Sequence, residues 1–213
     1  MTNSPSWLGL SAWRTMAPLL VGMLSGSLVA YAPAWGIPGQ STDATLAWIR
    51  ENPYLQAKPS DQYSVNRTEP DGSRFTFLAS VAPPGRVIAP ADKETIRSER
   101  MTFFRPNGLD AEQLNQAIRD LYGPEIAADL DQAVEVVRYP SLDVLNQPPS
   151  GNNLQQAIQG VIRQGQQLTY WLELTQNPDG TVQQGQVVVF EAEWLDKVKG
   201  ELAARTTLTV TQP

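Results

Sequence analysis

From Thr15 to Thr42 the chain runs 28 residues without a charged side chain, and Arg14 is the only charged side chain before Asp43. A positive flank, an apolar stretch and a small-residue end match a secretory signal peptide. Ala32-Pro33-Ala34 then supplies the cleavage site before Trp35, whereas a cut after Ala30-Tyr31-Ala32 would leave Pro33 just beyond it. The competing reading is an uncleaved membrane anchor. Trp13 to Trp35 spans 23 residues, above the roughly 20 that cross a hydrocarbon core. The two tryptophans would mark the interfaces, and Gly22 and Gly26 form a G-x-x-x-G helix-pairing face. An ordinary buried helix would have to hide every face of this stretch and leaves Arg14 unexplained.

Signal and anchor share one consequence. Arg14 stays on the cytoplasmic side, and everything after Gly36 crosses the membrane. The expected organisation is therefore residues 1–36 as signal peptide or anchor and residues 37–213 as a single extracytoplasmic domain. Its compartment would be the periplasm, or the thylakoid lumen if the tryptophan- and glutamine-rich composition reflects a cyanobacterial source.

Composition removes several function classes. The chain has no cysteine and no histidine, which excludes disulfides, Cys nucleophiles, Cys/His zinc sites and Ser-His-Asp triads. It also excludes a lipid-modified N-terminal cysteine. With 16 basic and 22 acidic residues, a net charge of −6 and a pI near 4.7, a nucleic-acid partner is not expected. No phosphate-cradling glycine motif and no G-x-S-x-G or S-x-x-K occurs, so no cofactor and no metal is expected.

Patterning predicts an α+β domain, mainly antiparallel sheet with three or four helices. A helix capped by Ser41 or Thr42 carries Leu46, Trp48 and Ile49 and stops at Asn52-Pro53. Strands are expected at Tyr63–Thr68, Arg74–Val81 and Thr95–Phe104, the first two joined through Glu69-Pro70-Asp71-Gly72. Asp110 and Gln113 form a capping box for a helix with Leu114, Ile118, Leu121 and Tyr122 on one side. Glu125–Val137 reads as a helix, or as a short helix followed by a strand over Ala133–Tyr139. Leu154, Ile158, Val161 and Ile162 have helical spacing. Alternation then predicts strands at Leu168–Thr175, Val187–Trp194 and Leu202–Val210. A helix over Ala192–Ala204 ranks second, because Gly200 would cost it about 1 kcal/mol relative to alanine.

The two Pro-Asp-Gly turns suggest a duplication. Asp71 to Pro106 and Asp179 to Pro213 have nearly equal lengths, and Arg100–Pro106 rhymes loosely with Thr207–Pro213. This implies two αβββ-like halves, although Pro-Asp-Gly is a common hairpin turn.

Glu191 and Glu193 are the candidate catalytic pair. Two apart on a strand, they would share a face with Cα atoms about 6.6 Å apart, a separation suited to glycoside hydrolysis with Trp171 stacking on a sugar. Glu173 could join them from a neighbouring strand. The plainer reading is a solvated face on which Glu193 opposes Arg205. Asp71-Gly72 and Asp179-Gly180 lack the ligand series of a calcium loop and read as turns. Lys93, Arg97 and Arg100 alternate with Glu94 and Glu99, which reads as a mixed-charge, solvated strand. Ten glutamines between Gln155 and Gln186 offer a polar docking surface without charge.

The leading expectation is a non-enzymatic accessory or assembly protein on the outer face of a membrane. It would bind a protein partner, possibly a membrane complex, and touch the membrane through residues 13–35 if that segment is retained. The alternatives are a carboxylate-based hydrolase of envelope polysaccharide and a carrier with an apolar pocket.

Overall fold

The computed structural model describes residues 37–56, 63–85, 93–140 and 157–210. The apolar segment and the loop around Pro148-Pro149 lie outside these residues. Among the described residues no helix is long and apolar enough to cross a membrane.

Seven antiparallel strands form one sheet. In chain order they are β1 (Ser64–Thr68), β2 (Arg74–Ser80), β3 (Ser98–Phe104), β4 (Val134–Tyr139), β5 (Ile158–Gln164), β6 (Leu168–Gln176) and β7 (Val182–Glu191). The spatial order β1-β2-β3-β7-β6-β5-β4 is two meanders that meet where β3 pairs with β7. Helices α1 (Thr42–Glu51), α2 (Ala111–Tyr122) and α3 (Pro124–Gln132) cover the inner face, and α4 (Leu195–Val210) packs on the outer one. The α+β class and the antiparallel sheet are as expected.

Local chemistry sets the element ends. The Ser41 hydroxyl accepts from the Ala44 amide and starts α1, and Asp110 with Gln113 closes both bonds of a capping box on α2. The hairpins β1–β2 and β6–β7 share one turn. Asp71 accepts from the Ser73 amide and Asp179 from the Thr181 amide, with Gly72 and Gly180 at φ 83° and 84°. Only glycine holds that φ without strain.

Strict alternation divides the core. Phe75, Phe77, Ala79, Met101, Phe103, Tyr170, Leu172, Val187 and Val189 point inward against Ile49, Leu114, Ile118, Leu121, Ile126 and Leu130 of the helices. On the outer face a smaller cluster joins Ile162, Trp171, Val188 and Phe190 to Leu195, Val198 and Leu202. Each buried Val, Leu, Ile, Phe or Met among these is worth about 1.5–3 kcal/mol.

Four expectations are corrected. Ile158, Val161 and Ile162 lie on β5 instead of a helix, because Val161 packs against the inner core and Ile162 against the outer one; Leu154 lies outside the described residues. Strand β7 ends at Glu191, and Ala192–Trp194 is a single 3-10 turn. Leu202–Val210 belongs to a helix, since Leu195, Val198 and Leu202 bury together at helical spacing. That burial outweighs the roughly 1 kcal/mol cost of Gly200. The duplication as aligned on the Pro-Asp-Gly turns also fails. The first turn joins edge strand β1 to β2, the second joins β6 to β7 near the sheet centre, and Thr207–Val210 is helical where Arg100–Phe104 is strand. For Glu125–Val137, the alternative of a short helix followed by a strand is the one realised.

Candidate functional site

The sequence-predicted carboxylates meet, but on a guanidinium. Glu191 is the last residue of β7 and Glu193 lies in the following 3-10 turn, so the two do not share a strand face. Arg97 Nη1 lies 3.4 Å from an oxygen of each. A Cβ on Gly39 would come within 2.8 Å of Glu191 Oε1, so the carboxylate also rests against the turn before α1. The cluster clamps the β7–α4 corner to the segment entering β3. With Glu193 56% exposed, that pairing is weak in energy and serves geometry.

The other expected partners are elsewhere. β6 does neighbour β7, yet Leu168 stands opposite Glu191 while Glu173 stands opposite Gln186, five residues along. Trp171 is buried in the outer cluster and its indole N–H donates to the Tyr139 hydroxyl at 2.7 Å. Arg205 falls on α4, so no strand carries it opposite Glu193.

A polar row crosses the outer face in register: Asn66, Thr76, Thr102, Gln186, Glu173, Gly160, Tyr139. Thr76 donates to Asn66 at 2.9 Å. Gln186 donates to one Glu173 oxygen at 2.9 Å and Tyr139 to the other at 2.5 Å. Glycine at 160 lets the Tyr139 ring lie across β5, because a Cβ there would sit 2.1 Å from the ring. The β1-β2-β3 part of this face and the Gln184 end of β7 stay open, while Val188 and Phe190 of β7 lie under α4. Asn66, Leu78, Thr102 and Gln184 are exposed, and Arg74 caps the Phe104 ring at 4.6 Å. Arg100 stands between Leu78 and Val188. By strand alternation, Arg74 and Arg100 are the charged side chains of this half-face, and no acidic side chain belongs to it.

Two carboxylates sit on the inner face, where the sequence gives weaker signals. Asp129 of α3 accepts from the amides of Gln166, Gln167 and Leu168 at 2.7–3.3 Å and from the Tyr170 hydroxyl at 2.7 Å. It anchors α3 to the β5–β6 turn, and burial together with this bond raises the Tyr170 pKa. Glu99, at the middle of the sheet, is fully buried, and the reading of its strand as a solvated mixed-charge face does not hold there. The Tyr122 hydroxyl donates to its Oε2 at 2.5 Å, while Oε1 has no partner. Burial pushes the Glu99 pKa up to about 8, against a smaller lowering by the tyrosine bond. The signal for Glu99 was its parity with Met101 and Phe103, which face inward.

Among the described residues no group of acidic side chains is placed to hold a metal ion. An open crease between Pro106–Asp110 and Thr181–Gln183 has its polar groups in use: Asp110 and Gln113 in the capping box, Gln183 on the Pro106 carbonyl. This leaves the open outer half-sheet as the accessible feature with a coherent chemistry: hydroxyls, amides and two guanidiniums on a rigid, registered surface. No family model matches the chain and no match is found among curated proteins or solved structures, so the surface itself carries the functional reading.

Proposed function

We propose that the protein is a non-enzymatic accessory or assembly factor on the extracytoplasmic face of a membrane, in a periplasm or thylakoid lumen. It binds a protein partner through the open half of its outer sheet face. The observation that carries this reading is the in-register β1-β2-β3-β7 surface, whose charged groups are Arg74 and Arg100, on a chain of net charge −6. A local excess of guanidinium on an acidic protein selects a partner surface that presents carboxylates among polar groups. Leu78, 43% exposed, and the rim of Phe104 supply apolar contact beside them. Location beyond the membrane rests on the uncharged run Thr15–Thr42 after Arg14.

A photo-crosslinking residue at Thr102 or Gln184, in the full-length chain in its native membranes, tests the surface. Adducts are expected from both positions, not from exposed Gln116 on α2, and are lost when Arg74 and Arg100 are changed to glutamate. No adduct, or equal adducts from Gln116, overturns the reading. An export-dependent reporter fused after Pro213 tests the location, and a cytoplasmic signal refutes it.

A further inference from the structure

We infer that Glu99 and Tyr122 form a proton-operated latch, which holds the end of α2 on central strand β3 while the carboxyl is protonated and loosens it when the proton leaves. The inference is independent of the docking surface, which lies on the opposite face of the sheet.

The geometry selects the neutral carboxyl. Glu99 has no exposed surface, and of its two oxygens only Oε2 has a partner. A buried carboxylate persists when a cation or several donors face it. Here none does. β2 presents Ala79 and β7 presents Val189 as the cross-strand neighbours. α1 presents the Trp48 ring, stacked on Tyr122 at 5.8 Å. α2 presents Tyr122 itself. Beyond it, β6 presents Tyr170, whose hydroxyl is committed to Asp129 of α3. Among the described residues no lysine or arginine acts on Glu99. Asp129 is the internal contrast: also buried, it has four donors.

The sign follows from linkage. A carboxyl whose pKa is raised on folding contributes its full stability below the unfolded value near 4.5. That contribution falls as pH rises and is gone once pH passes about 8. Tyr122 is itself held protonated well above its ordinary range by burial and then by the neighbouring Glu99, so it remains a donor throughout. The strain of an ionised Glu99 is relieved by water reaching Oε1, and the route is separation of the α2 end from the sheet, since β2 and β7 are locked to β3 by ladders on both sides.

Native-state hydrogen exchange of the full-length chain at pH 6, 7, 8 and 9 tests the latch, with rates corrected for intrinsic base catalysis. Opening of the α2 amides is expected to rise about tenfold from pH 7 to pH 9 and to stay more frequent throughout than opening of the β6 and β7 amides, which follows global unfolding. Glu99→Gln is expected to abolish the rise. Tyr122→Phe removes the bond that favours the ionised form, so its rise should move to higher pH, which keeps the test decisive if Glu99→Gln does not fold. A flat wild-type profile, α2 amides that open only together with the β6 and β7 amides, a rise that survives Glu99→Gln, or a shift to lower pH in Tyr122→Phe overturns the latch.

Discussion

The two faces of the sheet repeat one contact in two settings. On the inner face, under α1 and α2, the Tyr122 hydroxyl lies 2.5 Å from Glu99; on the outer face the Tyr139 hydroxyl lies 2.5 Å from Glu173. The tyrosine bond is the same, and the surroundings differ. Glu173 is half-buried and its second oxygen takes the Gln186 amide, whereas Glu99 is sealed and its second oxygen takes nothing. Asp129, sealed like Glu99, receives three backbone amides and a hydroxyl. The number of donors around each carboxylate, more than its burial or its tyrosine, sets the sealed and singly bonded Glu99 apart from Asp129 and Glu173.

Removing the anchor should have the largest effect. Asp129→Ala leaves three buried or half-buried amides and the Tyr170 hydroxyl without their acceptor. Hydrogen bonds to a charged acceptor are worth roughly 1.5–3 kcal/mol each and are not additive, so a loss of about 4 kcal/mol in urea unfolding is expected. A loss below about 1 kcal/mol would make Asp129 a bystander and dissolve the contrast with Glu99.

The pH dependence comes next. With Glu99 ionising near 4.5 in the unfolded chain and at about 8 in the fold, wild-type stability should fall by about 2–3 kcal/mol from pH 6 to pH 9. Glu173→Gln, on the outer face, should leave that slope intact, and Glu99→Gln should flatten it. Urea midpoints for the three chains across this range check the pair of statements. A slope that follows Glu173 would reverse the assignment of the titrating face.

A smaller loss is expected on the outer face itself. In Gly160→Ala the new methyl meets the Tyr139 ring, which must swing off β5 and give up its bonds with Glu173 and Trp171. Overpacking of this kind costs about 1–3 kcal/mol, and because Glu99 is untouched the pH slope should not change. Thermal unfolding of this variant at pH 6 and pH 8 would show a parallel offset. A changed slope would couple the two faces.

What the sequence made legible was whatever answered to a single period. β2 alternates Phe75, Phe77 and Ala79 against polar neighbours, α2 carries a complete capping box, and both Pro-Asp-Gly turns close through their aspartates. Illegible segments serve two cores. In β5 the adjacent Val161 and Ile162 face opposite sides, so their apolar run imitates a helix face. Glu99 was concealed for a related reason. Its charge made the strand look solvated, while the parity of Met101 and Phe103 placed it in the core. Glu191 and Glu193 were legible as neighbours, but the turn after β7 and the arrival of Arg97 depend on chain closure that no local pattern records.

The smallest expected change has the opposite sign and concerns the helix that covers part of the outer face. Leu195, Val198 and Leu202 hold α4 to Phe190, Val188 and Trp171. Gly200 lies on the exposed side of α4, with nothing within 4 Å of a Cβ placed there and no positive φ to protect. Its only contribution to the fold is backbone freedom in the unfolded chain, which folding must remove. Gly200→Ala should therefore raise stability by about 0.5–1 kcal/mol, with the pH slope set by Glu99 preserved. On a strand at the same position the exchange would gain little of this, because alanine is a poor strand former. A stabilised melting curve together with increased helical signal in circular dichroism supports α4 as the outer cover. An unchanged or lowered midpoint would place Gly200 in a setting other than an exposed helix and reopen which element seals Trp171.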